Sequence, residues 1–183
     1  MLPTVYLTVL RTLREKANPR RGQTVLFHTA AGGVGIAAIN YAQSVAATIY
    51  ATVSSPEKVA FLINELGVAK ENIFSSRENS FLDDVMRATR GRGVDVECVA
   101  LGGSTIEIGK RDLLGRGKLA MNPFLANRSD IGVDVATLPL IEPECVEEHV
   151  SAIVDWYERG VVRPIRPVTS FPARGIEYAF RHL

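Results

Sequence analysis

The apolar and polar residues of this chain repeat with two different periods. Near the start, Val5, Val9, Leu10 and Leu13 recur at the spacing of one helical face, which predicts a helix from about Thr4 to Lys16. Further along, short apolar runs rich in β-branched residues are separated by longer amphipathic segments. This rhythm is typical of a protein in which strands alternate with helices.

Residues 24–56 contain no Asp, Glu, Lys or Arg. A membrane span is one interpretation, but Gly32, Gly33 and Asn40 interrupt the stretch, and no apolar run of about 18 residues remains. We favour a buried strand–helix–strand unit, because parallel strands that are covered on both faces lose their polar alternation. Its predicted strands are Thr24–His28 and Thr48–Val53, with a helix of small residues from Val34 to Val45 between them.

The remaining pattern extends this alternation to the end of the chain. We predict, in order, a helix opening at Ser54–Lys58 and ending at Gly67, a strand at Ile73–Phe74, a helix from Ser80, strands at Val94–Ala100, Thr105–Ile108 and Ile131–Val135, and a helix over Pro143–Arg159. The predicted fold is α/β, a doubly wound and mostly parallel sheet with helices on both faces.

Composition and charge narrow the possible partners. The 183 residues are 46% hydrophobic and 22% charged with a net charge of +1, so we expect a globular domain and neither nucleic acid nor membrane as partner. Cys98 and Cys145 lie far apart, and we judge neither to be near a histidine at metal-ligand spacing, so no metal site is predicted. Met1–Pro3 begin no secretory signal, and we expect a reduced, cytoplasmic protein with Cys98 buried.

A glycine-rich segment, His28–Gly35, lies between the first predicted strand and its helix. Glycine lets the backbone turn sharply and approach a pyrophosphate, while the helix amino terminus offers N–H groups to the anion. A tight turn would also use glycines, but the strand–loop–helix context favours a Rossmann-like dinucleotide site. Its predicted cofactor-binding residues are Ala31, Gly32, Gly33, Val34 and Gly35.

The end of the second strand indicates which dinucleotide is bound. A free ribose 2′-hydroxyl usually meets an Asp or Glu there, whereas this strand ends in Ser54 and Ser55, with Lys58 one turn later. Hydroxyls and a lysine suit a 2′-phosphate, so NADPH is predicted. Glu57 is a competing ribose ligand, although its place in the first helical turn gives it a capping role. Alternatively, Lys58 is a solvated helix residue that does not bind the phosphate.

Several motifs together resemble a known family. Ala30–Gly35 and Ala51–Lys58 are similar to the zinc-independent medium-chain reductases related to quinone oxidoreductase. Ile73–Arg77, Gly91–Asp95 and Glu107–Asp112 narrow the resemblance to the enoyl reductase domain of highly reducing polyketide synthases, most closely the fungal type. The resemblance covers nearly the whole chain.

The resemblance implies an activity and roles for individual residues. NADPH delivers a hydride to the β-carbon of an α,β-unsaturated thioester carried on an acyl carrier protein, and the α-carbon gains a proton. Arg77 joins Ser54, Ser55 and Lys58 around the 2′-phosphate. Lys110 corresponds to a lysine proposed to donate the proton or steady the enolate, and Asp134 to an aspartate beside it. Alternatively, Lys110 belongs to a polar turn after a strand, and Asp134 is a solvent-facing strand residue. A homodimer is a possible assembly.

The chain also departs from the family pattern. Residues 1–183 are expected to form a nucleotide-binding domain that is truncated at both ends, lacks the substrate-binding barrel domain and is shortened near residues 101–104, so that alone it has little activity. Only Leu101–Ser104 separate two predicted strands, and parallel neighbours need a connection of about a dozen residues. We therefore expect these strands to pair differently, or one to leave the sheet. Val99–Leu101 replaces the family's Asn-Ser-Leu.

Two other functions remain open at this point. The first is a non-catalytic reductase relic that serves as a scaffold or dimerisation module, and the second is a small NADPH quinone reductase.

Overall fold

Six strands form one sheet in which every described pairing is parallel. The computed structural model describes residues 2–77, 80–96, 99–166 and 170–181. The strands are β1 (Thr24–Phe27), β2 (Thr48–Val53), β3 (Ile73–Ser75), β4 (Val94–Val96), β5 (Val99–Glu107) and β6 (Ser129–Gly132). Their order across the sheet is β3-β2-β1-β4-β5-β6, so the chain starts in the middle, builds outward to one edge, and then returns to build the other half. This is the dinucleotide-binding order, which confirms the predicted fold class.

Helices connect most of the strands. They are α1 (Leu2–Val9), α2 (Gly33–Ser44), α3 (Pro56–Asn64), α4 (Phe81–Ala88), α5 (Lys110–Leu114), α6 (Leu138–Ile141), α7 (Pro143–Glu158) and α8 (Ile176–Arg181). Short 3-10 turns cover Lys70–Asn72, Asn122–Ala126 and Ala173–Gly175. Among the described residues, no helix combines the length and apolar character needed to cross a bilayer.

The core lies on both faces of the first three strands. On one face, α1, α2 and α7 pack their apolar side chains, including Val9, Ile39 and Ile153, against β1 and β2. On the other face, Val85 of α4 packs against Leu26 and neighbouring strand residues. Every residue of β1 is buried, which explains why this segment carries no polar alternation. The predicted strand–helix–strand unit is therefore confirmed.

After α1, the amino-terminal helix continues as a π-helical segment, Leu10–Ala17. The predicted helix is therefore present, but its second half is π-helical. The N–H group of Asn18 donates to the carbonyl oxygen of Leu13 at 2.6 Å, five residues back. Asn18 itself has a left-handed backbone (φ 43°), which ends the helix. Such π-helical turns are rare, and many of those that occur lie at functional sites.

The connection between β4 and β5 corrects one expectation. These strands are parallel neighbours, although we expected them to pair differently or to separate. The predicted strand Val94–Ala100 is also divided between β4 and β5, and residues 97–98 lie outside the described part of the chain.

The short length of β4 explains this pairing. A three-residue strand spans only about 7 Å, so the chain needs little length to return to its start. Val99, the first residue of β5, pairs with Val94, the first residue of β4. The register is irregular, because Val99 and Ser104 lie five residues apart opposite a two-residue step in β4. Gly102 has φ +74°, and a Cβ on Gly103 would lie 3.0 Å from the carbonyl oxygen of Asp95. These glycines allow the irregularity.

Candidate nucleotide-binding and catalytic site

A cleft of about 470 Å³ opens at the carboxyl ends of β1, β4 and β5. It lies where the strand order reverses between β1 and β4, the position at which open α/β sheets bind their ligands. Thr12 and Leu13 of the π-helical segment close one side, and Ile106–Gly109 close another.

The glycine-rich loop forms the floor of this cleft. Gly32, Gly33, Val34 and Gly35 line it, as predicted, whereas the fifth predicted residue, Ala31, is not among the lining residues. Gly33 begins α2, so the first-turn N–H groups, which have no acceptor within the helix, lie at the cleft. Positive potential from the helix dipole adds to these donors. The arrangement suits a pyrophosphate.

Gly35 is required by close packing rather than by backbone conformation. A Cβ at this position would lie 2.5 Å from the carbonyl oxygen of Ala30 and 2.7 Å from its Cα. Ala30 is fully buried, and its N–H group donates to the carbonyl oxygen of Thr52 at 3.2 Å. The loop is thus held against β2, and any side chain at Gly35 would push α2 away from it.

Two ionisable side chains face this cleft from different strands. His28 follows β1, and its Nδ1 lies 3.0 Å from the hydroxyl of Thr52. Much of His28 borders the open cleft, yet its ring packs edge-on against Phe81 at 5.3 Å between centroids. Loss of surrounding water lowers the pKa of His28, against a smaller opposing effect of the Glu107 charge. The imidazole is therefore neutral at neutral pH.

Glu107 ends β5 and accepts a hydrogen bond from the N–H group of Gly109. His28 and Glu107 appear in the sequence motifs, but sequence reasoning gave neither a role. The sign that could have found them is their position at strand ends, because those ends surround the ligand site.

A second pocket, of about 340 Å³, lies beside the carboxyl ends of β2 and β3. It is lined by Ser54 and Ser55, as predicted, together with Pro56 of α3 and Ile73–Ser75 of β3. Lys58 is exposed on the first turn of α3, and its Nζ donates to the hydroxyl oxygen of Ser54 at 3.3 Å. Hydroxyls and an ammonium group therefore meet at one edge of this pocket.

The two remaining polar residues at this edge differ in their bonding. Glu57 is exposed, and the hydroxyl of Ser55 donates to its carboxylate, which lowers the pKa of Glu57. This interaction is local to the start of α3, and the side chain of the N-cap residue Ser55 makes no capping hydrogen bond. Arg77 is exposed two residues beyond β3, and its backbone N–H donates to the Ser75 hydroxyl at 3.3 Å. Arg77 is near the pocket but not among the residues that line it.

The structure brings the two predicted catalytic side chains together. Lys110 begins α5 and Asp134 follows β6, and Lys110 Nζ lies 3.0 Å from Asp134 Oδ2. The N–H group of Ala136 donates to the other carboxylate oxygen at 3.0 Å. The hydrogen bond from Lys110 is the largest cause that lowers the pKa of Asp134. Both side chains are exposed, just beyond Ile108 and Gly109 of the cleft.

The sequence-based expectation that neither cysteine lies near a histidine at metal-ligand spacing is wrong for Cys145. Cys145 and His149 are four residues apart on α7, and Cys145 Sγ lies 3.4 Å from His149 Nδ1. Glu15 completes a group of three potential ligand atoms within 4.8 Å of one another. A Cys-x-x-x-His spacing within a predicted helix was the overlooked sign, since residues i and i+4 share one face. Cys98 lies outside the described residues.

Comparisons with known proteins agree with this geometry. A family model described as zinc-binding dehydrogenase matches residues 33–138. The nucleotide-binding subdomain of the enoylreductase domain of PpsC from Mycobacterium tuberculosis is 29% identical, with a TM-score of 0.81 over 89% of this chain and 97% of that structure.

Two curated relatives are fungal. The squalestatin hexaketide synthase of a Phoma species is 47% identical over 97% of this chain. The highly reducing polyketide synthase g433 of a Fusarium species is 42% identical over 100% of this chain. The chain spans only 8% of the length of each relative.

The alignment with the Fusarium synthase runs over 196 positions, whereas this chain has 183 residues, so about 13 positions of the relative lack a counterpart in this chain. The chain belongs to the zinc-binding dehydrogenase family of the medium-chain reductases, and within it to the enoyl reductase domains of polyketide synthases.

Proposed function

We propose that this chain is the NADPH-binding domain of a reductase that reduces α,β-unsaturated acyl thioesters carried on an acyl carrier protein. The observation that carries the proposal is the pair of pockets at the carboxyl edge of the sheet, one at the glycine loop and one at Ser54 and Ser55. A dinucleotide has a pyrophosphate in its middle and a ribose phosphate near one end, and the two pockets offer donors for both groups.

The choice of NADPH over NADH rests on the second pocket. Lys58 and Ser54 already share a hydrogen bond at its edge, so a 2′-phosphate would meet an ammonium group and a hydroxyl together. Glu57 is the nearby carboxylate that could instead accept a ribose hydroxyl, but it is bonded to Ser55 at the start of α3. Arg77 adds positive charge beyond β3. A doubly charged phosphate is favoured over a hydroxyl in these surroundings.

A nicotinamide coenzyme held by these residues would supply the hydride for the β-carbon of the substrate, and the resulting negative charge would lie on the enolate of the thioester. The α-carbon takes a proton, so one hydride and one proton complete the reduction. Lys110 is the residue we propose as proton donor or enolate partner. Asp134 keeps the amine of Lys110 in position through their 3.0 Å contact.

Membership of the zinc-binding dehydrogenase family implies a catalytic zinc ion that the cleft would have to hold. Of the residues that line the cleft, His28 and Glu107 are those with ligand-type side chains. Catalytic zinc sites use three protein ligands, so these residues do not fit. The proposed reduction therefore contains no metal step.

A non-catalytic role is the second candidate, and the β4–β5 connection is the observation that favours it. The irregular strand borders the cleft through Ile106 and Glu107, and it takes the place of a regular crossover. Such a domain could bind nucleotide and still fail to position it for hydride transfer.

Homodimer formation and a cytoplasmic location remain predictions.

Fluorescence titration with NADPH and NADH, followed by a 340 nm assay with a crotonyl thioester, tests the proposal. We expect NADPH to bind about tenfold more tightly than NADH, a difference of about 1.4 kcal/mol. Thioester-dependent NADPH oxidation that is lost in Lys110→Met would support the enzyme over the non-catalytic module. Tight NADPH binding without turnover is the result expected of this chain alone, and failure to bind either coenzyme would reject the proposed NADPH-binding domain.

A further inference from the structure

A cluster of ionisable side chains, none of which lines the cleft, joins the π-helical segment to α7. Cys145 Sγ lies 3.4 Å from His149 Nδ1, and His149 Nε2 lies 2.5 Å from Glu15 Oε1. The sulfur is 3.8 Å from the same Glu15 oxygen. Neither the proposed coenzyme site nor the Lys110–Asp134 pair uses these residues.

We propose that Glu15, Cys145 and His149 bind a divalent transition-metal ion with the preferences of zinc. Zinc takes sulfur at about 2.3 Å and nitrogen or oxygen at about 2.0 Å, so tetrahedral ligand atoms lie about 3.5 Å apart. The sulfur–nitrogen and sulfur–oxygen separations, 3.4 and 3.8 Å, are close to this value. All three potential ligand atoms lie within 4.8 Å of one another. The 2.5 Å contact between His149 Nε2 and Glu15 Oε1 is a hydrogen bond and is shorter than the separation of two zinc ligands, so zinc binding requires Glu15 to move away from this nitrogen.

The surroundings bury His149 and orient the carboxylate of Glu15. His149 is buried, with only 4% of its surface exposed. Arg11 Nη1 lies 2.7 Å from Glu15 Oε2, which orients the carboxylate and leaves Oε1 facing the histidine. Arg11 Nη2 also pairs with Glu142 at 2.6 Å. Such outer partners orient metal ligands in known sites.

The charges at the cluster suit a cation better than a catalytic thiolate. Although partial burial acts in the opposite direction, the hydrogen bond from Arg11 lowers the pKa of Glu15, so its carboxylate is ionised. Burial and then the charge of Glu15 raise the pKa of the Cys145 thiol. A neutral thiol is a weak nucleophile. A bound cation would displace the thiol proton to solvent and replace it as the partner of the negative groups.

An open path leads to the sulfur. A surface cleft of about 510 Å³ is lined by Cys145, by apolar residues and by the carboxylates of Glu142, Glu144 and Glu148. These carboxylates attract cations toward Cys145, which is only partly buried. The sulfur and nitrogen ligands favour zinc-type ions over magnesium and calcium, which prefer oxygen.

Alkylation of the unmodified chain tests the proposal without a variant that could misfold. Iodoacetamide labelling of Cys145 and Cys98 is followed by peptide mass spectrometry, with zinc, with magnesium or with no added metal. At a zinc concentration ten times the dissociation constant, Cys145 should react about tenfold more slowly, because only the unbound fraction reacts. Magnesium should not protect Cys145, and the Cys98 rate should not change. Equal Cys145 rates with and without zinc would overturn the proposal.

Cobalt substitution tests the ligands themselves. We expect Co²⁺ to give a near-ultraviolet sulfur-to-cobalt charge-transfer band that disappears in Cys145→Ser and persists in Cys98→Ser. Glu15→Gln should weaken zinc binding by about 10- to 100-fold, whereas Glu147→Gln, an exposed substitution on the same helix, should not. Circular dichroism establishes that each variant is folded. A cobalt spectrum without the sulfur band, or unchanged zinc affinity in Glu15→Gln, would contradict the three-ligand site.

Discussion

The two halves of this sheet differ in how completely their apolar residues are covered. The β1–β3 half holds most of the buried apolar side chains, including Val25, Ile39 and Leu62, and both coenzyme pockets border it. Around β5 in the other half, the large apolar side chains of Leu101, Ile108 and Leu114 are exposed. The first half is therefore a well-packed nucleotide site, while the second half carries the proposed chemistry on a loosely covered surface.

This difference separates binding from catalysis. The glycine loop and the Ser54 pocket are fixed by a dense core, so coenzyme affinity should respond strongly to packing in the first half. The Lys110–Asp134 pair is exposed and rests on short elements, α5 and the loop after β6. Changes there should alter reaction rates and leave folding and coenzyme affinity nearly untouched.

The largest effect is expected from Gly35→Ala. The new Cβ would meet the backbone of Ala30 at 2.5 Å, where no flexible side chain can yield. We expect a loss of about 3 kcal/mol of unfolding free energy, at the upper end of overpacking costs, together with loss of NADPH binding. Gly33→Ala is the matched control, because its Cβ would lie 3.8 Å from Val5 Cγ2, an ordinary contact. Urea denaturation of both variants checks this, and equal stabilities would contradict the packing argument.

Asp95→Asn should have the next largest effect, because Asp95 connects the two halves. Its Oδ2 accepts hydrogen bonds from the N–H group and the hydroxyl of Thr24, both at 2.7 Å. Loss of the charge should cost about 1–3 kcal/mol. The exposed Asp130→Asn serves as a control, and an equal change in that variant would argue against the link.

The same contact has a pH dependence. Partial burial raises the pKa of Asp95, but the Thr24 hydrogen bonds outweigh it, and the net pKa is below the ordinary 3.8. The stabilisation is therefore complete above about pH 4 and lost as the pH falls toward the folded-state pKa. Denaturation curves between neutral pH and pH 3 should show this loss in the unmodified chain and a smaller one in Asp95→Asn.

Lys58→Ala should weaken NADPH binding about tenfold, as expected for the loss of one charged contact. NADH affinity should not change, because NADH has no 2′-phosphate. Lys70→Ala is the matched control, since Lys70 lies in the turn before β3 and is not among the residues that line the pocket. Equal loss of NADPH and NADH affinity in Lys58→Ala would place its effect outside the phosphate pocket.

The smallest effects on folding and binding should come from Lys110→Met and Asp134→Asn. Exposed ion pairs contribute little to stability, so melting temperatures should stay within about 2 °C of the unmodified chain. NADPH affinity should also be unchanged, while any thioester reduction should fall. A large drop in melting temperature would show that the pair has a structural role.

The sequence was sufficient where local rules and packing agree. The uncharged run of residues 24–56 and the glycine loop predicted β1, α2 and β2, because buried parallel strands and a phosphate turn impose their own composition. The position of Ser54 followed from the end of β2. The contact between Lys110 and Asp134 was inferred from family resemblance, and the structure shows its 3.0 Å distance.

Sequence reasoning failed where long-range geometry decides. The β4–β5 pairing depends on how short β4 is and on the backbone of Gly102, which no pattern of apolar residues reveals. The third member of the cluster at Cys145 comes from Glu15, 130 residues earlier, and only the packing of α7 on the first helix joins them. The Cys145–His149 spacing was visible in the sequence and was misjudged.

A crystal structure of the chain with NADPH tests the central claim most directly. We predict the pyrophosphate at the N–H groups of Gly33 and Val34, and the 2′-phosphate within hydrogen-bonding distance of Ser54 and Lys58. Coenzyme bound elsewhere, or a cleft that stays empty at saturating NADPH, would contradict the account.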